Sequence, residues 1–225
     1  MSTVKIELIK AEEKAALLFK EIDVRQFIQA GKMESQLNVE VFALAKEMFG
    51  IEKYWHKRIV RSGSNTLHPY DENPADLMVK ENDILFFDFG PIFENWEADF
   101  GRTYVIGNDS LKHKLKSDIE LAWYQAKEWF DQQEHVTGAQ YYQYIVELAH
   151  HYGWEYGSPI AGHLIGQFPH ERLEPGNYGL YVHPENHNDM LSPDKNGLDR
   201  NWILEIHFID RENQIGGFFE QLLTT

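Results

Sequence analysis

Apolar residues recur at the spacing of α-helices in two separate parts of the chain. The first part predicts helices over residues 5–30 and 36–49, each followed by a glycine, as is common at helix C-termini. The second part predicts a helix over residues 110–133, and another that begins after Thr137, a good N-cap residue, and ends at Gly153. The helices therefore come in two pairs.

Apolar runs rich in β-branched and aromatic residues follow each helix pair and predict strands. After the first pair come "YWHKRIVRSG", "DILFFDF" and "EADFGRTYVIG"; after the second come short strands around 159–168, then "WILEIHFID" and "IGGFFEQLL". Grouped helices and meandering strands favour an α+β fold. Because the order recurs, we expect one domain, residues 1–225, built from two similar halves. Segment 171–201 is expected to form a binding loop or lid, or to contain a short element such as "YGLYV".

Composition narrows the classes of partner. The 225 residues include 21 Lys and Arg against 36 Asp and Glu, which gives a formal net charge of −15. Binding of nucleic acid or anionic lipid is not expected, because both require a cationic surface. There is no cysteine, which excludes thiol nucleophiles, disulfides and thiolate metal sites. The sequence shows neither a signal-peptide pattern nor an apolar run long enough to span a bilayer. We therefore expect a cytoplasmic protein that binds neither nucleic acid nor membrane.

Two aspartates lie inside the first pair of apolar strands. Asp88 and Asp99 are equidistant from a turn centred on Phe93 and Glu94, so without a bulge they face each other across the ribbon. Directly opposed like charges destabilise a sheet, and burial raises the cost further. Such a pair requires a counter-charge, or protonation of one carboxyl.

The last predicted hairpin repeats this construction. Glu205 and Glu220 are equidistant from a turn within "RENQ", and both have apolar neighbours. One opposed acidic pair can be coincidence, whereas two pairs indicate a shared counter-ion, for which a metal is the natural choice.

A glycine-bracketed apolar stretch, "AGHLIGQFPHE", adds His163 and His170. One of these imidazoles, together with the four carboxylates of the two hairpins, would give five oxygen and nitrogen ligands. A single Zn²⁺ usually takes fewer. The set suits two ions about 3.5–4 Å apart that share carboxylate ligands. We expect two divalent metal ions, and Mn²⁺, Co²⁺, Fe²⁺ and Zn²⁺ are all compatible with these ligands.

These motifs resemble those of the pita-bread metallopeptidases, the family of methionine aminopeptidase, aminopeptidase P, prolidase and creatinase. The resemblance runs from the helical start to Glu220 and is carried by "ENDILFFDFGPIFENWEADFGRTYVIG", "GHLIGQFPHE", "ILEIHF" and "GGFFEQ". It implies a curved antiparallel sheet covered by helices, in pseudo-twofold halves. The N-terminal domain typical of aminopeptidase P and prolidase is not expected here.

The resemblance also implies roles for single residues. The metal-ligand positions of the family correspond to Asp88, Asp99, His163, Glu205 and Glu220. Asp88 would hold one ion, His163 and Glu205 the other, and the remaining two carboxylates would bridge. The two ions would activate a water for attack on the first peptide carbonyl, with Glu205 as proton carrier and His170 stabilising the oxyanion.

Two further histidines are candidates for contact with substrate. The family places a substrate-facing histidine in the loop before its first aspartate strand, and His68 corresponds to it by position, with an expected catalytic and binding role. His207 stands two residues after Glu205, so on a strand it points to the same face. We expect His207 to line the substrate pocket or to support a ligand from behind.

The resemblance implies a metal-dependent aminopeptidase or dipeptidase acting on short peptides, most simply of the Xaa-Pro type. The length suits methionine aminopeptidase, whereas the His68 loop favours the Xaa-Pro branch. Creatinase-like C–N hydrolysis of a small non-peptide and a non-catalytic binding role on the same fold are two further hypotheses. The intact ligand set argues against both. A homodimer is compatible with the sequence.

Overall fold

The structure, a computed structural model, describes residues 2–168 and 177–225. The helices within these residues are α1 (Thr3–Val24), α2 (Glu34–Phe49), α3 (Ser110–Asp131) and α4 (Gly138–Tyr152). The strands are β1 (Ile59–Ser62), β2 (Ile84–Phe89), β3 (Ile92–Phe93), β4 (Trp96–Glu97), β5 (Phe100–Val105), β6 (Glu155–Tyr156), β7 (Leu164–Ile165), β8 (Asn201–Asp210) and β9 (Ile215–Leu222). A short 3-10 helix, Gly63–Leu67, follows β1.

The first helix is shorter than the apolar pattern predicts. The helix expected over residues 5–30 ends at Val24. Gln26 takes a left-handed φ of 53°, and the Phe27 N–H donates to the Ile22 carbonyl over 3.1 Å, which closes the helix. The residues beyond this closure form turns before α2.

The other helix ends follow the sequence closely. Thr137 caps α4 as predicted: its Oγ1 accepts from the Gln140 N–H, and the Gln140 side chain accepts from the Thr137 N–H, which makes a capping box. Gly153 ends α4 in the left-handed conformation, with a φ of 87°. None of the four described helices combines the length and the apolarity needed to cross a bilayer.

One antiparallel sheet runs through both halves of the molecule. Its order is β1-β2-β5-β9-β8-β6, and β7 pairs with β8. The first half supplies β1, β2 and β5, and the second half supplies the others. Among the described residues, β5 and β9 share the ladder pair Gly101–Glu220. We call this junction between β5 and β9 the seam.

Side chains reinforce the seam where the backbone ladder is short. Thr103 Oγ1 accepts from the Phe218 N–H over 2.7 Å and lies 2.8 Å from the Phe218 carbonyl, to which it donates. The Arg102 guanidinium donates to the carbonyls of Gly101 and Glu220 over 2.7 and 2.8 Å. The two halves are therefore joined here largely by side chains.

The predicted pairing of acidic residues is right for one hairpin and wrong for the other. Glu205 lies directly opposite Glu220 in the β8–β9 ladder. Asp88 lies opposite Gly101, not Asp99, which precedes β5. The connection from β2 to β5 contains a separate small hairpin, β3–β4, so the assumed single symmetric turn does not exist.

The helices cover one face of the sheet and leave the other face to the site. The strand residues that pack in the two helix-covered cores include Leu85, Phe87, Phe89, Leu204, Ile206 and Phe208. Because strand residues alternate between faces, Asp88, Glu205 and His207 point the other way. α1 and α2 cover the first core, and α3 and α4 cover the second.

The segment predicted as a loop or lid, 171–201, is described from Asn177 onward. Its stretch "YGLYV" contributes Tyr181, which forms an isolated antiparallel bridge with His163. The expected short element is therefore a single β-bridge, and it pairs with the backbone of His163, a predicted metal ligand.

Candidate metal centre

A cavity of about 360 Å³ opens beside the seam. The five predicted metal ligands all contribute to its lining: Asp88, Asp99, His163, Glu205 and Glu220. Apolar and aromatic residues form much of the remaining wall, among them Trp55, Ile59, Tyr70, Phe86, Ile160 and Phe218. A cavity of this size and lining is typical of a site for a small ligand.

Asp99 lies at the centre of the polar cluster, with one imidazole at each of its oxygens. His56 Nε2 is 3.0 Å from Asp99 Oδ1, and His163 Nε2 is 2.9 Å from Asp99 Oδ2. The side chain of Asp99 is 2% exposed, so both contacts are shielded from water. Asp99 is thus placed to share its two oxygens between two neighbouring positions.

Two groups of potential ligand atoms meet at Asp99. The ligand atoms of Asp99, His163 and Glu220 lie within 4.8 Å of one another, and so do those of Asp99, Asp88 and His56. Asp99 is therefore common to two candidate metal-binding groups.

Glu205 and Glu220 carry buried oxygens that lack a hydrogen-bond partner. Among the described residues, Glu205 Oε1 and Glu220 Oε2 are buried and unpaired. A buried carboxylate oxygen without a donor costs free energy, unless a cation satisfies it. These two atoms therefore point to a ligand that the protein itself does not supply.

Three of the four carboxyls are disfavoured as anions. Burial raises the pKa of Asp88 and of Glu205 to about 7, and raises that of Glu220 well above its usual value. The negative charge of Asp99 adds to the effect at each of them. The cluster as it stands has an excess of negative charge, which protons or metal cations must neutralise.

The imidazoles act in the opposite direction on Asp99. Burial alone would raise the pKa of Asp99, but His56 and His163 hold it below its usual range. Burial would lower the pKa of His56, yet Asp99 and Asp88 together raise it to about 9.

The donor set fits divalent metal ions. Carboxylate oxygens and imidazole nitrogens are ordinary ligands of Mn²⁺, Fe²⁺, Co²⁺ and Zn²⁺. The unpaired oxygens of Glu205 and Glu220 and the clustering around Asp99 give this fit a structural basis.

A glycine fixes the position of His163. Gly162 has a φ of 139°, and a Cβ there would lie 2.1 Å from the Ile203 carbonyl oxygen. The Ile203 N–H in turn donates to the His163 carbonyl over 2.8 Å. The backbone can thus approach β8 closely only with glycine before the histidine.

The three other predicted site histidines differ in position. His68 lies at the rim of the cavity, where its Nδ1 contacts Glu72. His207 is buried in the cavity wall, its Nε2 is 2.8 Å from the Thr66 carbonyl, and burial lowers its pKa to about 4. His170, the predicted oxyanion stabiliser, lies outside the described residues.

Sequence reasoning missed His56. It treated "YWHKRIVRSG" as one strand, but the strand begins at Ile59, which lies opposite Asp88. His56 lies in the bend before this strand, held near β2 by a bond from the Trp55 N–H to the Gly90 carbonyl over 3.0 Å. Only the register of β1 against β2 could have placed this histidine beside the aspartates.

Comparison with other proteins indicates the family of this chain. The sequence profile of metallopeptidase family M24 matches residues 7–195. An Xaa-Pro dipeptidase of Pyrococcus horikoshii is 25% identical over 175 residues, which are 74% of this chain and 49% of that protein. An Xaa-Pro dipeptidase of Pyrococcus furiosus is 24% identical over the same length. The chain spans about half the length of these two relatives.

Solved structures share the fold. An X-Pro aminopeptidase from Thermotoga maritima superposes with a TM-score of 0.75 and 24% identity, over 100% of this chain and 62% of that one. A methionine aminopeptidase from Rickettsia prowazekii superposes with a TM-score of 0.72 and 14% identity, over 100% of this chain and 98% of that one. From the extent of the profile match and this shared pita-bread fold, we conclude that the chain belongs to metallopeptidase family M24.

Proposed function

We propose that the protein is a dinuclear metallopeptidase that hydrolyses the N-terminal peptide bond of short peptides, with proline following the scissile bond. The observation that carries the proposal is the convergence of four carboxyl groups and His163 on one cavity, with Asp99 shared between two groups of ligand atoms. The named relatives, both Xaa-Pro dipeptidases, support the substrate class.

The proposed ligands are Asp88, Asp99, His163, Glu205 and Glu220. When bound, two divalent cations would supply Lewis-acid activation of a water and of the scissile carbonyl. Glu205 Oε1 is unpaired and lies at the cavity, so it is available to take a proton from the attacking water and deliver it to the leaving amine.

The walls of the cavity suit a short peptide rich in apolar surface. Tyr70, Pro159 and Ile160 offer apolar area against which a proline ring can pack. These side chains support a short peptide with proline beside the scissile bond as the substrate class.

Arg61 and His68 shape the entrance. The Arg61 guanidinium donates to the carbonyls of Pro69 and Glu72 over 2.7 and 2.9 Å, which fixes the loop that carries His68. His68 is then held at the rim, where we propose that it contacts the substrate. His207, fixed by Thr66, is proposed to form part of the wall beneath it.

The test is a peptide panel assayed with metal-stripped protein and single metals added back. We expect metal-dependent release of one residue from Xaa-Pro dipeptides or tripeptides, detected by mass spectrometry. Glu205→Gln should lose turnover by at least about 100-fold, the usual effect of losing a catalytic acid–base group. The matched control is Glu155→Gln, which alters an exposed glutamate on β6, the neighbouring strand, and should retain full activity.

Methionine-starting peptides form the second arm of the panel. The chain covers 98% of a methionine aminopeptidase chain of the same fold, so peptides of that substrate class are assayed alongside the Xaa-Pro peptides. Cleavage of Met-Xaa peptides with no turnover of Xaa-Pro peptides would contradict the Xaa-Pro specificity and support methionine aminopeptidase activity instead. No cleavage of either class, with every metal tested, would refute a peptidase function.

A further inference from the structure

His56 reaches the centre of the metal cluster from outside the ligand set assigned above. Its side chain is 6% exposed, and its Nε2 lies 3.0 Å from Asp99 Oδ1 and 3.6 Å from Asp88 Oδ1. The three residues form one of the two groups whose ligand atoms all lie within 4.8 Å of one another. His56 Nε2 therefore lies within reach of any ion that Asp88 and Asp99 bind.

The geometry of His56 matches that of His163. Each ring places Nδ1 near the carbonyl of the following residue, 2.7 Å from Lys57 O for His56 and 3.0 Å from Leu164 O for His163. Each then turns Nε2 toward one oxygen of Asp99. A ligand histidine usually donates its second ring N–H to a carbonyl in this way, which fixes the tautomer and the ring orientation.

The arrangement of donors and acceptors also calls for positive charge at His56 Nε2, carried by a proton or by a metal ion. If His56 Nδ1–H donates to the Lys57 carbonyl, the neutral ring has only a lone pair at Nε2. That lone pair faces the oxygens of Asp99 and Asp88, which as carboxylates are acceptors only. Either a proton on Nε2 or a metal ion among these three atoms removes the conflict, and the metal ion can accept a lone pair from each of them.

The surroundings of His56 are shaped to admit its ring. A Cβ at Gly90 would lie 2.2 Å from His56 Cδ2 and 2.3 Å from the indole nitrogen of Trp55. Trp55 in turn contacts both imidazoles edge to face, with ring centroids 4.5 Å from His56 and 5.1 Å from His163. One indole thus contacts both imidazoles, which supports a matched role.

We propose that His56 is a sixth protein ligand, binding through Nε2 the ion that Asp88 and Asp99 hold. The inference rests on the proposed dinuclear site and changes its chemistry: each ion then has one imidazole in addition to carboxylates. Imidazole suits Zn²⁺ and Fe²⁺, whereas an all-carboxylate position suits Mn²⁺. The second imidazole therefore shifts the preference of the Asp88 position away from Mn²⁺.

The experiment counts imidazoles on the bound metal. Wild type, His56→Phe, His163→Phe and the double variant are loaded with Zn²⁺, and X-ray absorption fine structure at the zinc edge gives the imidazole ligands per zinc. We expect about one imidazole per zinc in wild type. His163→Phe should keep an imidazole signal on its remaining zinc, and the double variant should show none. His150→Phe, an exposed change on α4, should match wild type.

Metal affinity gives a readout independent of activity. By chelator competition, His56→Phe should bind one of its two zinc ions at least about 10–100-fold more weakly, since loss of a mere supporting residue already costs that much. If His56→Phe fails to fold, His56→Gln replaces it in both measurements. Unchanged affinity in His56→Phe, or loss of all imidazole signal in His163→Phe, would make His56 only a charge partner of the aspartates.

The two proposals fail in different ways. Wild-type protein that binds two zinc ions but cleaves no peptide contradicts only the proposed function. Metal-dependent cleavage combined with unaltered zinc binding in His56→Phe contradicts only the role of His56. Wild-type protein that binds no divalent ion overturns both.

Discussion

The guanidinium of Arg102 lies between two aromatic rings, 3.7 Å from the centroid of Phe100 and 3.8 Å from that of Phe219. From there it donates to the Glu220 carbonyl over 2.8 Å and contacts the Gln221 side chain. It therefore orients the backbone that carries a proposed ligand. A planar group with several N–H donors is needed for stacking and bonding together.

Arg102→Lys tests this role. A lysine keeps the charge but cannot stack between the rings or donate to several acceptors at once, so we expect a loss of about 1–3 kcal/mol in the free energy of unfolding. Urea unfolding followed by circular dichroism measures it. Arg211→Lys, at an exposed ion pair with Glu155, should change the same quantity by no more than about 1 kcal/mol. Equal effects of the two changes would mean that Arg102 contributes only charge.

Single residues were predictable where their neighbours revealed burial. The four carboxylates and His163 stood among apolar residues in the sequence, and all five line one cavity. His56 stood among charged and aromatic residues in a bend, so neither periodicity nor flanking residues marked it. Its place depends on the pairing of β1 with β2, which is a long-range property of the fold.

Two local features of α2 and α4 show how the helices are fixed at their starts. Glu34, the first residue of α2, accepts hydrogen bonds from the Asn65 side chain over 2.9 Å and from the Leu77 N–H over 3.2 Å. α4 instead starts with the capping box of Thr137 and Gln140. The cap was readable from adjacent residues, whereas the partners of Glu34 are 31 and 43 positions away.

The cap of α4 predicts a modest stability effect. Thr137→Ala removes the oxygen that accepts from the Gln140 N–H, so we expect a loss of about 0.5–2 kcal/mol in the free energy of unfolding. Thermal and urea unfolding measure the loss. Thr3→Ala, an exposed threonine in the first turn of α1, should lie within about 0.5 kcal/mol of wild type. A loss no larger than that of the control would show that the cap contributes nothing.

Glu34 predicts a specific dependence on pH. Burial raises its pKa above 4.5, although the hydrogen bonds from Ser62 and Asn65 act against this. Between 4.5 and the raised value the folded chain holds more protons than the unfolded chain, so this contribution to stability falls as the pH rises. The free-energy difference between wild type and Glu34→Gln should therefore decrease from pH 4 upward in urea titrations.

Glu47, whose pKa shifts in the opposite direction, provides the control for the direction of this pH dependence. Arg25 lowers the pKa of Glu47, so the stabilising contribution of Glu47 should grow as the pH rises through its titration. Glu47→Gln should therefore show a pH slope opposite to that of Glu34→Gln. Parallel slopes for the two variants would contradict the assignment for Glu34.

Element pairing could be predicted only where a connection is simple. The β8–β9 hairpin has one turn, so counting residues placed Glu205 opposite Glu220 correctly. The same arithmetic failed for Asp88 and Asp99, because the β3–β4 hairpin lies within the connection. Without that information the sequence predicts which residues meet, but not how they are aligned.

The whole molecule consists of two helix-covered cores joined along the seam, and the candidate metal centre lies at that junction. Asp88, Asp99 and His56 come from the first half, whereas His163, Glu205 and Glu220 come from the second. An ion that binds residues of both groups would connect the halves. Metal binding should therefore stabilise the fold as a whole.

Metal removal tests this coupling. A ligand that binds only the folded state at about 100 times its dissociation constant stabilises it by about 2.7 kcal/mol. For a chain of this size that corresponds to a rise of about 5–10 °C in Tm. Circular dichroism melts in EDTA and in added Zn²⁺ or Mn²⁺ measure it. Asp99→Asn, which alters the shared ligand, should abolish the shift, and an unshifted wild-type Tm would contradict a metal link between the halves.

The seam also makes the molecule divisible. The chain passes from the first core to the second through the short link before α3, where Gly107 takes a left-handed φ of 84°. Besides that link and the seam, the contacts between the halves include Leu8 of α1, which packs against Ile203 and Leu222, and Thr66, whose carbonyl lies 2.8 Å from His207 Nε2. A cut in the link would leave each fragment with most of one core and with half of the proposed ligands. Divalent metal would then promote the reassembly of the two fragments. The fragments would form a complementation pair whose assembly depends on the ion.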